Sequence, residues 1–147
     1  MKLSTRGRYG ARFMLDLARH FGQGPVMLKD VSVRQQISIK YLEQLVTPLR
    51  LAGLVKSTRG PHGGYCLTSP PEEITLYKII EILEGPLALS DCISKEQGCS
   101  RSSSCVTHEI WSEVNAMVID KLTSITLQEM AERQQELEAR GAAMYHI

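Results

Sequence analysis

Three of the four cysteines of this chain and one of its four histidines fall in the seventeen positions from Cys92 to His108. Six residues separate Cys92 from Cys99, five separate Cys99 from Cys105, and two separate Cys105 from His108. The residues between them are mostly serine, glycine and charged types, with little to pack, so the stretch reads as a ligand loop. Thiolates and imidazole are what zinc, copper(I) and iron-sulfur clusters select. Spacings this long suit a cluster whose two irons need ligands from well-separated points. A structural zinc site takes the same ligand types but usually comes with a Cys-x2-4-Cys knuckle, which Cys92 and Cys99 do not form. Without a secretory signal at the start of the chain, clustered thiols point to a reducing cytoplasm, where they bind metal or sense redox state more often than they form structural disulfides.

The elements that must position this loop are mainly helical. After it, residues 107–123 are predicted as a helix on which Ile110, Trp111, Val114, Met117, Val118, Leu122 and Ile125 form a broad apolar stripe. Such a stripe on a helix outside the compact part of the chain is expected to meet its counterpart in a homodimer. Thr126 to Glu129 has a capping-box pattern that opens a last helix through about Ala139, with a frayed end from Gly141. Before the loop, a helix over 75–84 buries Leu76, Ile79, Ile80 and Leu83, and Gly85-Pro86 closes it.

The overall charge of +1 hides a division. Residues 1–70 hold eleven Lys and Arg against three Asp and Glu, whereas residues 71–147 hold six against thirteen. A basic segment with few acids is the electrostatic footprint of phosphate binding. Within it, residues 4–21 read as a helix with Ala11, Met14, Leu15, Ala18 and Phe21 on its buried face, followed by a short helix over 28–35. Ser38 is a good N-cap for a third helix over 39–52, where Lys40, Glu43, Gln44 and Thr47 lie opposite the apolar Leu42, Leu45, Val46 and Leu49. Pro48 removes an N–H inside that helix and predicts a kink. Two short strands, 54–58 and 65–68, flank a tip of turn-forming residues with Arg59 and His62. Three helices and a hairpin in this order are those of a winged helix-turn-helix, whose third helix enters the major groove of DNA. The predicted fold is therefore mainly α with a small β-hairpin: a DNA-binding winged helix-turn-helix over 1–70, a connecting helix over 71–90, a cluster-binding loop over 91–108, and dimerisation and C-terminal helices over 107–140.

With these pieces in place the chain resembles the IscR-type family of bacterial winged-helix regulators, which includes iron-sulfur, nitric-oxide and cysteine-metabolism sensors. The resemblance runs nearly end to end. It is carried by the opening from Met1 to Tyr9, the helix from Ser38 to Leu45, the wing from Arg59 to Tyr65, and the three-cysteine loop with its histidine. It implies that Cys92, Cys99, Cys105 and His108 are the ligands of a 2Fe-2S cluster. It also implies that Lys40, Glu43 and Gln44 meet base edges and that Arg59 enters the minor groove. These roles suit the chemistry, since Gln pairs with adenine, Lys with guanine edges or phosphate, and a narrow minor groove attracts Arg. Glu43, as an acid facing DNA, acts as a selectivity filter; the plainer alternative is an ion pair with Lys40 or Arg50. Arg6, Arg8 and Lys56 are placed for phosphate. Two departures stand out against enterobacterial members. The gap between the first two cysteines is one residue longer, and Lys40 replaces a small serine. Arg8 argues against the nitric-oxide branch, where an aspartate ligand can stand. Cys66, on a wing strand, reads as a small buried hydrophobe.

The expected function is that of a homodimeric, cytoplasmic transcriptional regulator on double-stranded DNA with two-fold related half-sites. Its cluster would report iron-sulfur supply or redox state. Two alternatives use the same residues: a regulator with a zinc or thiol-switch site in the same loop, and an electron-transfer protein, for which the basic half would have no purpose. Neither a membrane span nor an enzyme is expected: no apolar run approaches the roughly 18 residues that a span needs, and no phosphate-binding glycine loop or nucleophile-base pair is present.

Overall fold

The computed structural model describes residues 2–94 and 98–145. Residues 95–97 of the expected ligand loop, Met1 of the opening motif and residues 146–147 of the expected frayed end lie outside the described residues. The order of elements is α1 (Thr5–Arg19), α2 (Leu28–Gln35), α3 (Ile39–Leu51), β1 (Val55–Thr58), β2 (Gly64–Leu67), α4 (Leu76–Glu84), α5 (Val106–Ser124) and α6 (Leu127–Met144). Short 3-10 turns precede α4 at Pro71–Glu73 and carry Cys92 at Asp91–Ile93. Four of the six helices are opened by a hydroxyl at the N-cap: Ser4, Ser38, Thr75 and Thr126 accept from the backbone N–H of Gly7, Tyr41, Lys78 and Glu129. Each satisfies one donor that the first helical turn leaves free.

The core is continuous across the chain. Phe13, Met14 and Leu17 of α1 pack with Val31, Leu42, Leu45 and Leu49 of the helix-turn-helix, Val55 and Leu67 of the hairpin, Ile79 and Leu83 of α4, and Leu127 of α6. Helix α1 is shifted in phase from its sequence reading. Phe13 and Leu17 are buried and Leu15 is only partly so, while Phe21 is 44% exposed beyond the end of the helix. The reason is a close crossing with α4, which brings Gly10 rather than Ala11 to the contact: a Cβ on Gly10 would lie 2.0 Å from Leu83 Cδ1. At the same crossing Glu84 accepts from the backbone N–H of Ser4 at 2.8 Å and of Gly7 at 3.2 Å, so the end of α4 caps the start of α1.

Between α2 and α3 the chain turns at Gln36, a non-glycine residue in the left-handed region with φ 55°, and Ile37 is buried behind it. The orientation of this pair is set by Asp16 of α1, whose side chain is only 2% exposed. Arg34 Nε and Nη2 donate to its two oxygens at 3.0 and 2.7 Å, and Gln35 Nε2 donates at 3.0 Å. Burial raises the pKa of Asp16, but the hydrogen bonds from Arg34 and Gln35 and the nearby positive charge outweigh it and hold the carboxyl below its ordinary value of 3.8.

The wing is an antiparallel pair with Val55 opposite Leu67 and Thr58 opposite Gly64. Tyr65 exchanges two 2.8 Å backbone hydrogen bonds with Val26, which ties the hairpin to the segment before α2. Gly64 allows that approach, with φ 152° and a Cβ position 2.3 Å from the Val26 carbonyl oxygen. Cys66 is half-buried opposite Lys56. Helix α3 continues through Pro48. Helix α6 runs five residues past the expected end at Ala139, and residues 141–144 are its last turn rather than a frayed end. Only one arm of its capping box forms, because the Glu129 side chain pairs with Arg133.

Gly10→Val is expected to lower the urea unfolding free energy by about 2 kcal/mol through overpacking against Leu83. Arg34→Ala is expected to cost about 3 kcal/mol, the low end for breaking a buried pair because Arg34 keeps 40% of its side chain exposed. With its folded pKa depressed, Asp16 contributes stability in full above 3.8 and loses it as pH falls through the folded value. Asp16→Asn should therefore flatten the fall of stability with acid below that pH.

Candidate functional site

Helix α3 presents Lys40, Glu43, Gln44 and Thr47 to solvent, with its apolar face closed over by the core. Its rotation is fixed by Tyr41, whose ring meets Tyr9 of α1 edge-on at 5.8 Å. Arg12 lies over the other side of this arrangement, 5.4 Å from the Tyr9 ring centre, and also donates to the side chain and carbonyl of Gln35 at the end of α2. Arg59 at the wing tip, Lys56 on β1, and Arg6 and Arg8 on α1 are exposed as well.

Eight of the eleven cations of the basic half fall into two groups. Arg12, Arg19 and Arg34 are held by Gln35, Glu138 and Asp16 and serve the fold. Among the described residues, the side chains of Lys40, Gln44, Arg6, Lys56 and Arg59 make no hydrogen bond or ion pair within the chain, and Arg8 makes a 3.3 Å bond to Thr5 and lies 5.9 Å from the Tyr9 ring centre. Glu43 belongs with them: its carboxylate forms no ion pair with Lys40 or Arg50 among the described residues. An unpaired row of this kind is available to base edges and phosphates. The sequence reading missed the buried use of Asp16 and Arg34. A single acid inside a basic, apolar helix was the available signal.

The ligand-loop residues are positioned mainly by α5. Cys105 is its N-cap residue and His108 stands in its first turn. Cys92 sits on the Asp91–Ile93 turn, which packs against α5. Asn115 of α5 fastens the approach to that turn: its Oδ1 accepts from the Leu89 N–H at 3.0 Å and its Nδ2 donates to the Leu87 carbonyl at 3.2 Å. The Thr107 hydroxyl and the backbone N–H groups of His108 and Thr107 push the Cys105 thiol below its ordinary pKa. His108 Nδ1 is buried without a hydrogen-bond partner among the described residues. All four cysteines are free thiols, each half-buried. No group of three or more His, Cys, Asp and Glu is gathered closely enough to hold a metal among the described residues.

The opposite side of α5 is apolar and uncovered. Ile110, Trp111, Val114 and Met117 are 44, 45, 39 and 69% exposed, and Val118, Leu122 and Ile125 are half-buried beside them. A groove of about 370 Å³ runs between Val114 and Leu122. No residue of α5 is buried. No helix among the described residues is long and apolar enough to cross a membrane.

Comparison with known proteins agrees with this architecture. The CymR regulator of Bacillus subtilis is 44% identical over 131 residues, covering 89% of this chain and 90% of that protein. Its solved structure, described as the global cysteine regulator, superposes with a TM-score of 0.79, covering 90% of this chain and 98% of that one. The IscR regulator of Photorhabdus laumondii is 40% identical over 96% of this chain and 85% of that protein. The T. potens IscR structure is 43% identical, with a TM-score of 0.77, over 93% and 90% of the two chains. These relatives are named as transcriptional regulators, a non-enzymatic role, and their winged-helix fold is the one described here. Residues 3–133 match the model of the Rrf2 family, described as iron-dependent transcriptional regulators, and the chain belongs to that family.

Proposed function

We propose that this regulator works as a homodimer that reads two-fold related half-sites, and that Cys92, Cys99, Cys105 and His108 hold a 2Fe-2S cluster that shifts its choice of operator. In this reading residues 1–70 bind DNA, 71–90 connect, 91–108 sense, and 107–140 pair the protomers and close the fold. One observation carries it: a buried imidazole nitrogen of His108 has no partner among the described residues, one turn from a Cys105 thiol whose pKa is lowered. A buried polar atom left so costs free energy unless something binds it. The donor set of three thiols and an imidazole fits such a cluster. When bound, the cluster supplies one-electron redox chemistry and a response to iron and sulfur supply.

The chain's own residues do the rest. Cys105 and His108 offer two donors from one helix start, where the aligned N–H groups favour a negative charge. Cys92 arrives on a turn held by α5, so a change in the loop is transmitted to the helix that carries the apolar stripe. On DNA, Gln44 and Lys40 are donors for base edges, Arg59 reaches the groove from the wing, and Glu43 penalises sequences that offer it no amino group. A second reading, in which the loop is a thiol switch, is favoured by the half-buried Cys105 thiol, whose pKa is depressed. Anaerobic purification separates the two: about two irons and matching acid-labile sulfide per chain support the cluster, and a metal-free protein whose thiols oxidise reversibly supports the switch.

Val114→Asp, in the middle of the stripe, is expected to give a monomer by analytical ultracentrifugation and to weaken operator binding about tenfold or more, with little change in unfolding free energy. Arg59→Ala should weaken DNA binding about tenfold in both holo and apo protein and reduce the slope of the salt dependence by about one. Cys92→Ala should give colourless protein that keeps its affinity for a subset of operators; equal loss at all of them would remove the cluster from operator choice.

A further inference from the structure

Two of the candidate ligand sulfurs have hydroxyl neighbours. Ser90 Oγ stands 3.0 Å from Cys92 Sγ, and Thr107 Oγ1 stands 3.1 Å from Cys105 Sγ. Both hydroxyls are placed by structure outside the ligands themselves. Ser90 follows the Leu87 to Leu89 segment that Asn115 grips at both ends, and its carbonyl accepts from the Ile93 N–H to close the turn that carries Cys92. Thr107 is the second residue of α5, so its backbone is fixed by the helix. Among the described residues no hydrogen bond reaches the Cys99 sulfur, although its carbonyl accepts from the Ser102 N–H at 3.1 Å.

We propose that Ser90 and Thr107 are positioning residues of the sulfur ligands, whose hydroxyls donate to the Cys92 and Cys105 thiolates and raise the reduction potential of the cluster they hold. This rests on the cluster reading above. A thiolate accepts and cannot donate, so each hydroxyl must be the donor once its cysteine is deprotonated. A donor on a ligand sulfur withdraws negative charge from it. That favours the reduced form, which carries one more electron, over the oxidised form, and outer-shell hydrogen bonds of this kind tune cluster potentials. The same bonds fix the direction from which each sulfur approaches.

Full-length protein, reconstituted anaerobically, tests this by potentiometric titration followed through visible absorption. Ser90→Ala and Thr107→Val should each move the midpoint to a more negative value and the sulfur-to-iron absorption to longer wavelength. Thr107→Ser, which keeps the hydroxyl and removes the methyl group, should behave as the native chain. Loss of iron from Thr107→Val with retention in Thr107→Ser would support the hydroxyl equally, whereas loss in both would overturn it. Variants that keep the cluster at the native midpoint would refute the hydroxyl role and leave the cluster reading standing. A native protein without iron and sulfide under the same reconstitution would end both.

Discussion

A carboxylate removed from water must be met by donors in a fixed geometry, and in this chain that requirement falls on Asp16. Its two oxygens accept three hydrogen bonds from consecutive residues at the end of α2. An apolar contact at this junction would tolerate sliding, because dispersion and burial are nearly indifferent to a small rotation. A bidentate guanidinium is not indifferent. Helix α2 is therefore locked to α1, and with it the turn at Gln36 and the start of α3. Arg12 extends the lock by joining the carbonyl end of α2 to Tyr9, and Tyr9 sets Tyr41. The exposed face of α3 is thus oriented by a carboxylate that is itself buried.

The second organising element is α5, which has two unlike sides. One side, through Ser112, Asn115 and Ile119, is partly covered by α4 and by the segment that leads to Cys92. The other is the apolar stripe from Ile110 to Ile125. Because Cys105, His108 and the stripe share one rigid helix, a rearrangement at the helix start has a short physical path to the stripe, without passing through the core. Coupling by a shared rigid element needs only two arrangements of that element that differ in free energy.

Most of the fold was legible because its signals are local. Hydroxyl caps at Ser38, Thr75 and Thr126, apolar periodicity in α3 and α4, and glycines around the wing tip each act within a few residues, and apart from the end of α6 the elements appear within one or two positions of expectation. What sequence reading misplaced depends on distant partners. The phase of α1 is decided by Leu83 and Glu84, more than seventy residues away, which admit only a glycine at the crossing. The continuation of α6 past Ala139 owes something to Arg19, which grips Glu138 with two hydrogen bonds at 2.7 and 2.8 Å. At the ligand loop the residue types were plain from spacing, and so was the helix start that presents Cys105 and His108. The hydroxyls on Cys92 and Cys105 were not, because serines are abundant there and only the fold selects Ser90 among them.

The junction of α5 and α6 is clasped to the start of α4. Leu76 N–H donates to the Ile125 carbonyl at 2.8 Å, and Leu127 N–H donates to the Ile74 carbonyl at 2.9 Å. In mechanical terms this makes α5 a lever, clamped where it leaves the core, with Cys105 and His108 at the far end. Its nineteen residues span about 28 Å, so a tilt of about 4° at the clasp carries the Cys105 end through about 2 Å.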